Sequence, residues 1–285
     1  MKTRQLKILL QELSDLNNSF THYFFVWTQF ELDYSQNISD NKNKLTSDIF
    51  KDNGFSKKHN IELSKLSDEH KKTNETLLNG IFTLIYSSFE NYLTDIYSVA
   101  KKIDNSLPEL NEGKFENDDI LVLKVLNRLN IKQKNIEEKY LETLDYIRLK
   151  RNRLIHQSST NISRSLREII NKNGTELNVF WNDILPKNLQ GINFANNENA
   201  NQITYNILID ALNIFRGISN YLDIIIFKSF NLQEFLIKEV FVEFKKINGY
   251  KNFSLTDERN KRKFLGFCKT EYGFKPTEYD FQEMI

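Results

Sequence analysis

Helix breakers are scarce in this chain. Its 285 residues include only 3 prolines and 9 glycines, far less punctuation than a sheet-rich fold uses at its turns. Between these breaks, apolar residues recur at the three- and four-residue spacings of amphipathic helices. The pattern predicts an all-α protein. A hydrophobic content of 40% against 27% charged residues supports a globular core rather than a disordered chain.

The first helix is expected over 6–34, where Leu6, Leu9, Leu13, Leu16, Phe20, Phe24 and Trp27 share a face. A polar excursion with room for one short helix follows over 35–70, and Asn53-Gly54 marks a turn within it. The segment 72–102 is apolar around so much of its circumference that it reads as the central helix. A turn with Pro108 and Gly113 then leads to a short helix capped by Asp118 or Asp119. Residues 135–156 form the fourth helix, and the Ser/Thr/Asn-rich string QSSTNISRS is a loop that caps a shorter segment, SLREIINKN. A second polar excursion is expected over 174–201, before another strongly apolar helix. These elements assign 1–231 to a helical bundle domain with long polar insertions. Residues 232–285 form a small C-terminal appendage of open fold, because LQEFLIKEVFVEFKKI suits either helix or strand.

Several function classes are excluded early. Cys268 is the only cysteine, so neither a disulfide framework nor a thiolate metal cage can form within the chain, and the 4 histidines share no ligand spacing. No metal or cofactor is expected. Gln11, Glu12, Ser14 and Asp15 interrupt any leader-like core, and Asp223 and Lys228 interrupt the most apolar stretch. The expectation is a cytoplasmic protein without a membrane partner. A net charge of +1 means that any nucleic-acid binding must come from a local basic patch.

Such a patch lies in the fourth helix. At 100° per residue, Tyr140, Leu144, Ile147 and Leu154 form its inward stripe, and Arg151 falls in the middle of it. An arginine there needs an anion. Arg148, Asn152 and His156 follow one another at intervals of four along the edge of the same face. Lys150, Arg153, Arg164 and Arg167 add to the local positive charge. Imidazole and guanidinium together suit phosphodiester transesterification, in which a 2′-hydroxyl is the internal nucleophile and a cation stabilises the pentacoordinate transition state. The competing account is a helix-capping histidine beside a structural arginine, with the other cations on a solvated face. A second basic run, Lys261 to Lys263, stands next to Phe264 and reads as exposed surface or a further contact.

The string RNRLIH, Arg151 to His156, resembles the Arg-x4-His motif of the HEPN superfamily, with Asn152 at the position where an asparagine commonly follows the arginine. FTLIYSSFENYLTDIY is similar to the aromatic-and-acid helix of many bacterial HEPN proteins and points to Glu90. The resemblance covers roughly the first 230 residues in helix order. It implies an all-helical domain that forms a homodimer, brings two motifs into one cleft and cleaves RNA without metal, as toxins and antiphage effectors do. On this reading His156 is the acid or base, Arg151 the phosphate-binding cation and Asn152 a second polar contact. Arg148 and Arg153 bind substrate, and an antitoxin or sensor protein restrains the activity. Glu90 either faces solvent or pairs with Arg151. The alternative is a non-catalytic HEPN-like module for dimerisation or for nucleotide or partner binding. The insertions depart from the smallest members, which leaves the subfamily and the RNA open.

Overall fold

The computed structural model describes residues 2–112, 120–155, 162–249, 253–277 and 280. They form α1 (Arg4–Asp40), α2 (Thr46–Ile49), α3 (Leu66–Ile103), α4 (Leu121–Arg128) and α5 (Glu138–Ile155). These are followed by α6 (Arg164–Ile184), α7 (Tyr205–Lys228), α8 (Leu232–Phe235), α9 (Phe241–Asn248) and α10 (Glu258–Phe267). The fold is all-α, and the β feature found among the described residues is a single antiparallel bridge between Leu45 and Glu62.

The predicted central helix, α3, carries one wall of the core, from Leu78 through Phe82, Phe89 and Ile96 to Ala100. Beside it α7 is buried from Ile207 to Ile226. Tyr86 and Phe89 meet Phe215, and Tyr92 reaches Asp223, so the two helices run in the same direction. α1 runs against both: Phe20 packs on Tyr205 and Thr3 lies at Asp223. The buried Asp223 carboxylate accepts from the Thr3 backbone N–H at 2.9 Å, from the Thr3 hydroxyl and from the Tyr92 hydroxyl. Three donors satisfy a carboxylate that burial pushes toward the protonated form, and they fix the start of α1 in the core.

The two insertions are shorter than expected. α1 and α3 extend to Asp40 and from Leu66 respectively, leaving 41–65 as their connection. α6 continues through Gly174 to Ile184, which reduces the second excursion to 185–204. Gly174, where the polar excursion was expected to begin, is a close-approach position inside the helix: a Cβ there would lie 2.5 Å from the Phe194 carbonyl oxygen. The loop that crosses it is held by buried Asp210, which accepts from the backbone N–H groups of Gln190, Gly191 and Ile192 at 2.9, 2.7 and 2.8 Å. Gly174→Ala is therefore expected to destabilise the protein by about 2 kcal/mol, because the backbone it meets cannot move aside. On an open helix face the same change stabilises. Urea denaturation distinguishes the two signs.

Beyond residue 231 the described residues are helical over 232–248 and 258–272, which settles the helix-or-strand ambiguity of LQEFLIKEVFVEFKKI. A π-helical turn over Leu236–Val240 joins α8 to α9, and another over Cys268–Tyr272 follows α10. Phe235, Leu236, Val240, Phe244, Phe264, Cys268 and Tyr272 build a second apolar cluster on Val99 and Ile103 at the end of α3. Ion pairs Arg4–Glu243 and Lys102–Glu239 border it. Cys268 is buried there as a small apolar side chain, and burial pushes its thiol up to about 12. Asp118, Asp119 and Gly113 lie outside the described residues.

Candidate functional site

α5 is covered on two sides, which determines what it can present. Tyr140, Leu144, Ile147 and Leu154 are buried as the wheel requires. Thr143, Tyr146 and Lys150 are buried as well, facing α6 and the 192–200 loop: Thr143 accepts from the Trp181 indole, Tyr146 meets Phe194 edge-on, and Lys150 donates to the Asn199 carbonyl. What remains is a strip of polar side chains that faces α3 and α4.

This strip forms one wall of a cleft of about 380 Å³. Arg148, Arg151 and Asn152 come from α5, Tyr86 and Glu90 from α3, and Leu121 and Lys124 from α4. Arg151 is half-buried, with its guanidinium carbon 5.7 Å from the centre of the Tyr86 ring and one terminal nitrogen donating to Asn152 Oδ1 at 3.2 Å. Its Nε is buried without a hydrogen-bond partner. Arg148 is steadied by Asp145, whose Oδ1 accepts from Nε at 3.0 Å. Lys124 donates to the neutral Asn111 side chain at 2.9 Å.

Three cations thus face a cleft that contains one carboxylate. Burial pushes the Glu90 pKa up and Arg151 draws it back down, so the acid is less ready than a surface glutamate to neutralise the site. Tyr86 is raised to about 12, chiefly by burial and then by Glu90, and stays a neutral ring under Arg151. The arrangement suits an anion with several acceptor oxygens, since guanidinium and ammonium donors converge where water is partly excluded.

The sequence expectations fare unequally. Arg148, Arg151 and Asn152 meet in the cleft. Glu90 was left open between facing solvent and pairing with Arg151; it lies half-buried in the same cleft and forms no ion pair with Arg151, so the two share a lining and a longer-range interaction. Arg153 does not line it; successive helical residues diverge by about 100°, and its Nε is buried without a partner elsewhere. Lys150, counted above with the basic patch, is buried on the opposite side of the helix. Arg164 is exposed and paired with Glu168 at 2.9 Å. His156 lies outside the described residues; in sequence it follows Asn152 by four positions. Lys261 and Arg262 line a separate cleft beside Lys275.

Lys124 and Tyr86 are the residues that sequence reasoning missed. Lys124 is the polar position between Val122, Leu123, Val125 and Leu126, all of which turn inward, so only its direction toward α5 required the structure. Tyr86 is indistinguishable in pattern from the core aromatics of α3. Among the described residues, no group of three or more His, Cys, Asp or Glu side chains is placed to hold a metal ion, and no helix is long and apolar enough to cross a membrane. Comparison with protein-family models, curated proteins and solved structures finds no match for this chain.

Proposed function

We propose that the chain is a metal-independent endoribonuclease of HEPN type that acts as a homodimer in toxin or antiphage defence. The observation that supports the reading best is the convergence of Lys124, Arg148, Arg151 and Asn152 in one cleft, with Asn152 four positions before His156 in sequence. In this scheme a phosphodiester occupies the cleft and Arg151 donates to its non-bridging oxygens, with Asn152 as a second polar contact. A 2′-hydroxyl attacks the adjacent phosphorus, and the bond to the leaving 5′-oxygen breaks. His156 serves as acid or base for the protons exchanged. The products are a 2′,3′-cyclic phosphate and a 5′-hydroxyl. An antitoxin or sensor protein would restrain the activity in the cell.

The test incubates the purified protein with total RNA and tRNA in EDTA, beside His156→Ala and Arg151→Ala. Cleavage by the wild type and by neither variant is the expected result. RNA or nucleotide binding at the cleft without cleavage, and without toxicity on expression, supports the non-catalytic module instead.

Lys124 provides a second check. Lys124→Ala is expected to weaken RNA binding about three- to tenfold at moderate salt and to lower the slope of log affinity against log salt by about one, as removal of one phosphate contact does. Fluorescence anisotropy of a labelled oligonucleotide reads both. An unchanged slope would place Lys124 outside the phosphate path.

A further inference from the structure

Glu90 is the charged residue of the α3–α4–α5 cleft that the proposed reaction leaves unused. It follows Tyr86 by four residues on α3 and is half-buried. Thr94 donates to its backbone carbonyl, but among the described residues nothing donates to its carboxylate. The titratable and charged groups around it are Tyr86 on α3, Lys124 on α4, and Arg148 and Arg151 on α5. Asp145, which also acts on Tyr86 electrostatically, is tied to Arg148 Nε at 3.0 Å.

A carboxylate that served only to hold these helices together would close on one of the cations, as Asp145 does. Glu90 instead shares the lining with three of them at longer range. The cleft is about as wide as the Debye length at physiological salt, roughly 8 Å, so ions in solution do not screen Glu90 from an anion held by Arg148 and Arg151. Like charges at that range, where water is partly excluded, disfavour each other's ionised forms. Burial already pushes Glu90 toward the protonated form, and Arg151 is the group that keeps it ionised. An anion that engages Arg151 offsets that support.

We propose that Glu90 is a proton-linked restraint on the cleft: ionised, it opposes an incoming phosphodiester, and the anion enters together with one proton that Glu90 takes up from solvent. The inference rests on the reading that a phosphodiester occupies this cleft. Affinity is held down at neutral pH and rises as the pH falls, while the guanidinium and ammonium donors stay as they are. The neutral carboxyl ceases to repel the phosphate and becomes an O–H donor toward the same oxygens.

The probe is a dye-labelled 2′-O-methyl oligouridylate, whose phosphodiesters keep one negative charge each from pH 5 to 8 and lack the nucleophile for cleavage. The full-length protein carries His156→Ala as the parent, so that an imidazole adds no second titration. Glu90→Gln and Arg151→Ala are each compared with that parent by fluorescence anisotropy. Glu90→Gln should bind about tenfold more tightly than the parent at pH 7.5, the equivalent of one pKa unit of coupling, and the gap should close toward pH 5 as the parent gains affinity. Circular dichroism checks that the isosteric change leaves the helices intact. Equal or weaker binding by Glu90→Gln at pH 7.5, or a gain of the same size at pH 5, would overturn the restraint; a loss of binding in Arg151→Ala would still leave the cleft as the phosphodiester site. Undiminished binding by Arg151→Ala would place the RNA elsewhere and overturn both.

Discussion

Arg151→Ala is expected to reduce RNA cleavage by about 10²- to 10³-fold, the loss that follows removal of one preorganised donor to a developing oxyanion. The guanidinium is oriented before substrate arrives: it lies over Tyr86, donates to Asn152 and keeps a buried Nε without a partner. In the proposed scheme, removing it takes away charge where the reaction would build it, while no ion pair among the described residues depends on it. The melting temperature should therefore change little. Arg151→Lys restores charge but not the planar fork and should recover only part of the rate. Single-turnover kinetics beside thermal melts give both readouts. A loss of activity matched by a loss of folding would make Arg151 a structural residue.

Lys150→Met carries the second large effect, and its sign depends on pH. Burial lowers the Lys150 pKa from 10.5 to about 7, and among the described residues the amine donates to the Asn199 carbonyl. In the folded protein the amine is neutral above about pH 7, whereas in the unfolded chain it stays charged up to about pH 10. The unfolded state thus binds the extra proton between those limits, and stability rises with pH across that window. Below it both states are charged and the full burial penalty applies. Methionine fills similar space without a proton to take up. The variant should be more stable by on the order of 2 kcal/mol at pH 6 to 7, after allowing for the unpaired Asn199 carbonyl, and the difference should fall as pH rises and reverse sign by about pH 10, where only the cost of that carbonyl remains. Urea denaturation from pH 6 to 10 checks this. A pH-independent difference would mean that Lys150 is charged in its buried position or is reached by water.

The helices were legible because their periodicity is strong and breakers are few. What failed was the treatment of polarity as a sign of loops. The string from Gly174 onward is polar because α6 turns one face to solvent, and its glycine answers to the Phe194 backbone, a contact twenty residues away that no local pattern encodes. At the site, a single-helix wheel placed Arg148, Arg151 and Asn152 together correctly. It could not tell which side α6 and its following loop would cover, so Lys150 was counted as surface. Lys124 comes from a different helix, and its approach to Arg151 is a tertiary event. Glu90 was singled out by resemblance and left open between solvent and Arg151, because spacing along α3 does not determine whether two side chains touch.

The termini of the fragments test the central claim most directly. RNA cut in EDTA should carry 2′,3′-cyclic phosphates and 5′-hydroxyls, and a 2′-deoxy substitution at the scissile nucleotide should block the cut. Fragments with 3′-hydroxyls, or undiminished cutting at the deoxy position, would contradict transesterification and with it the role assigned to the Arg151 cleft.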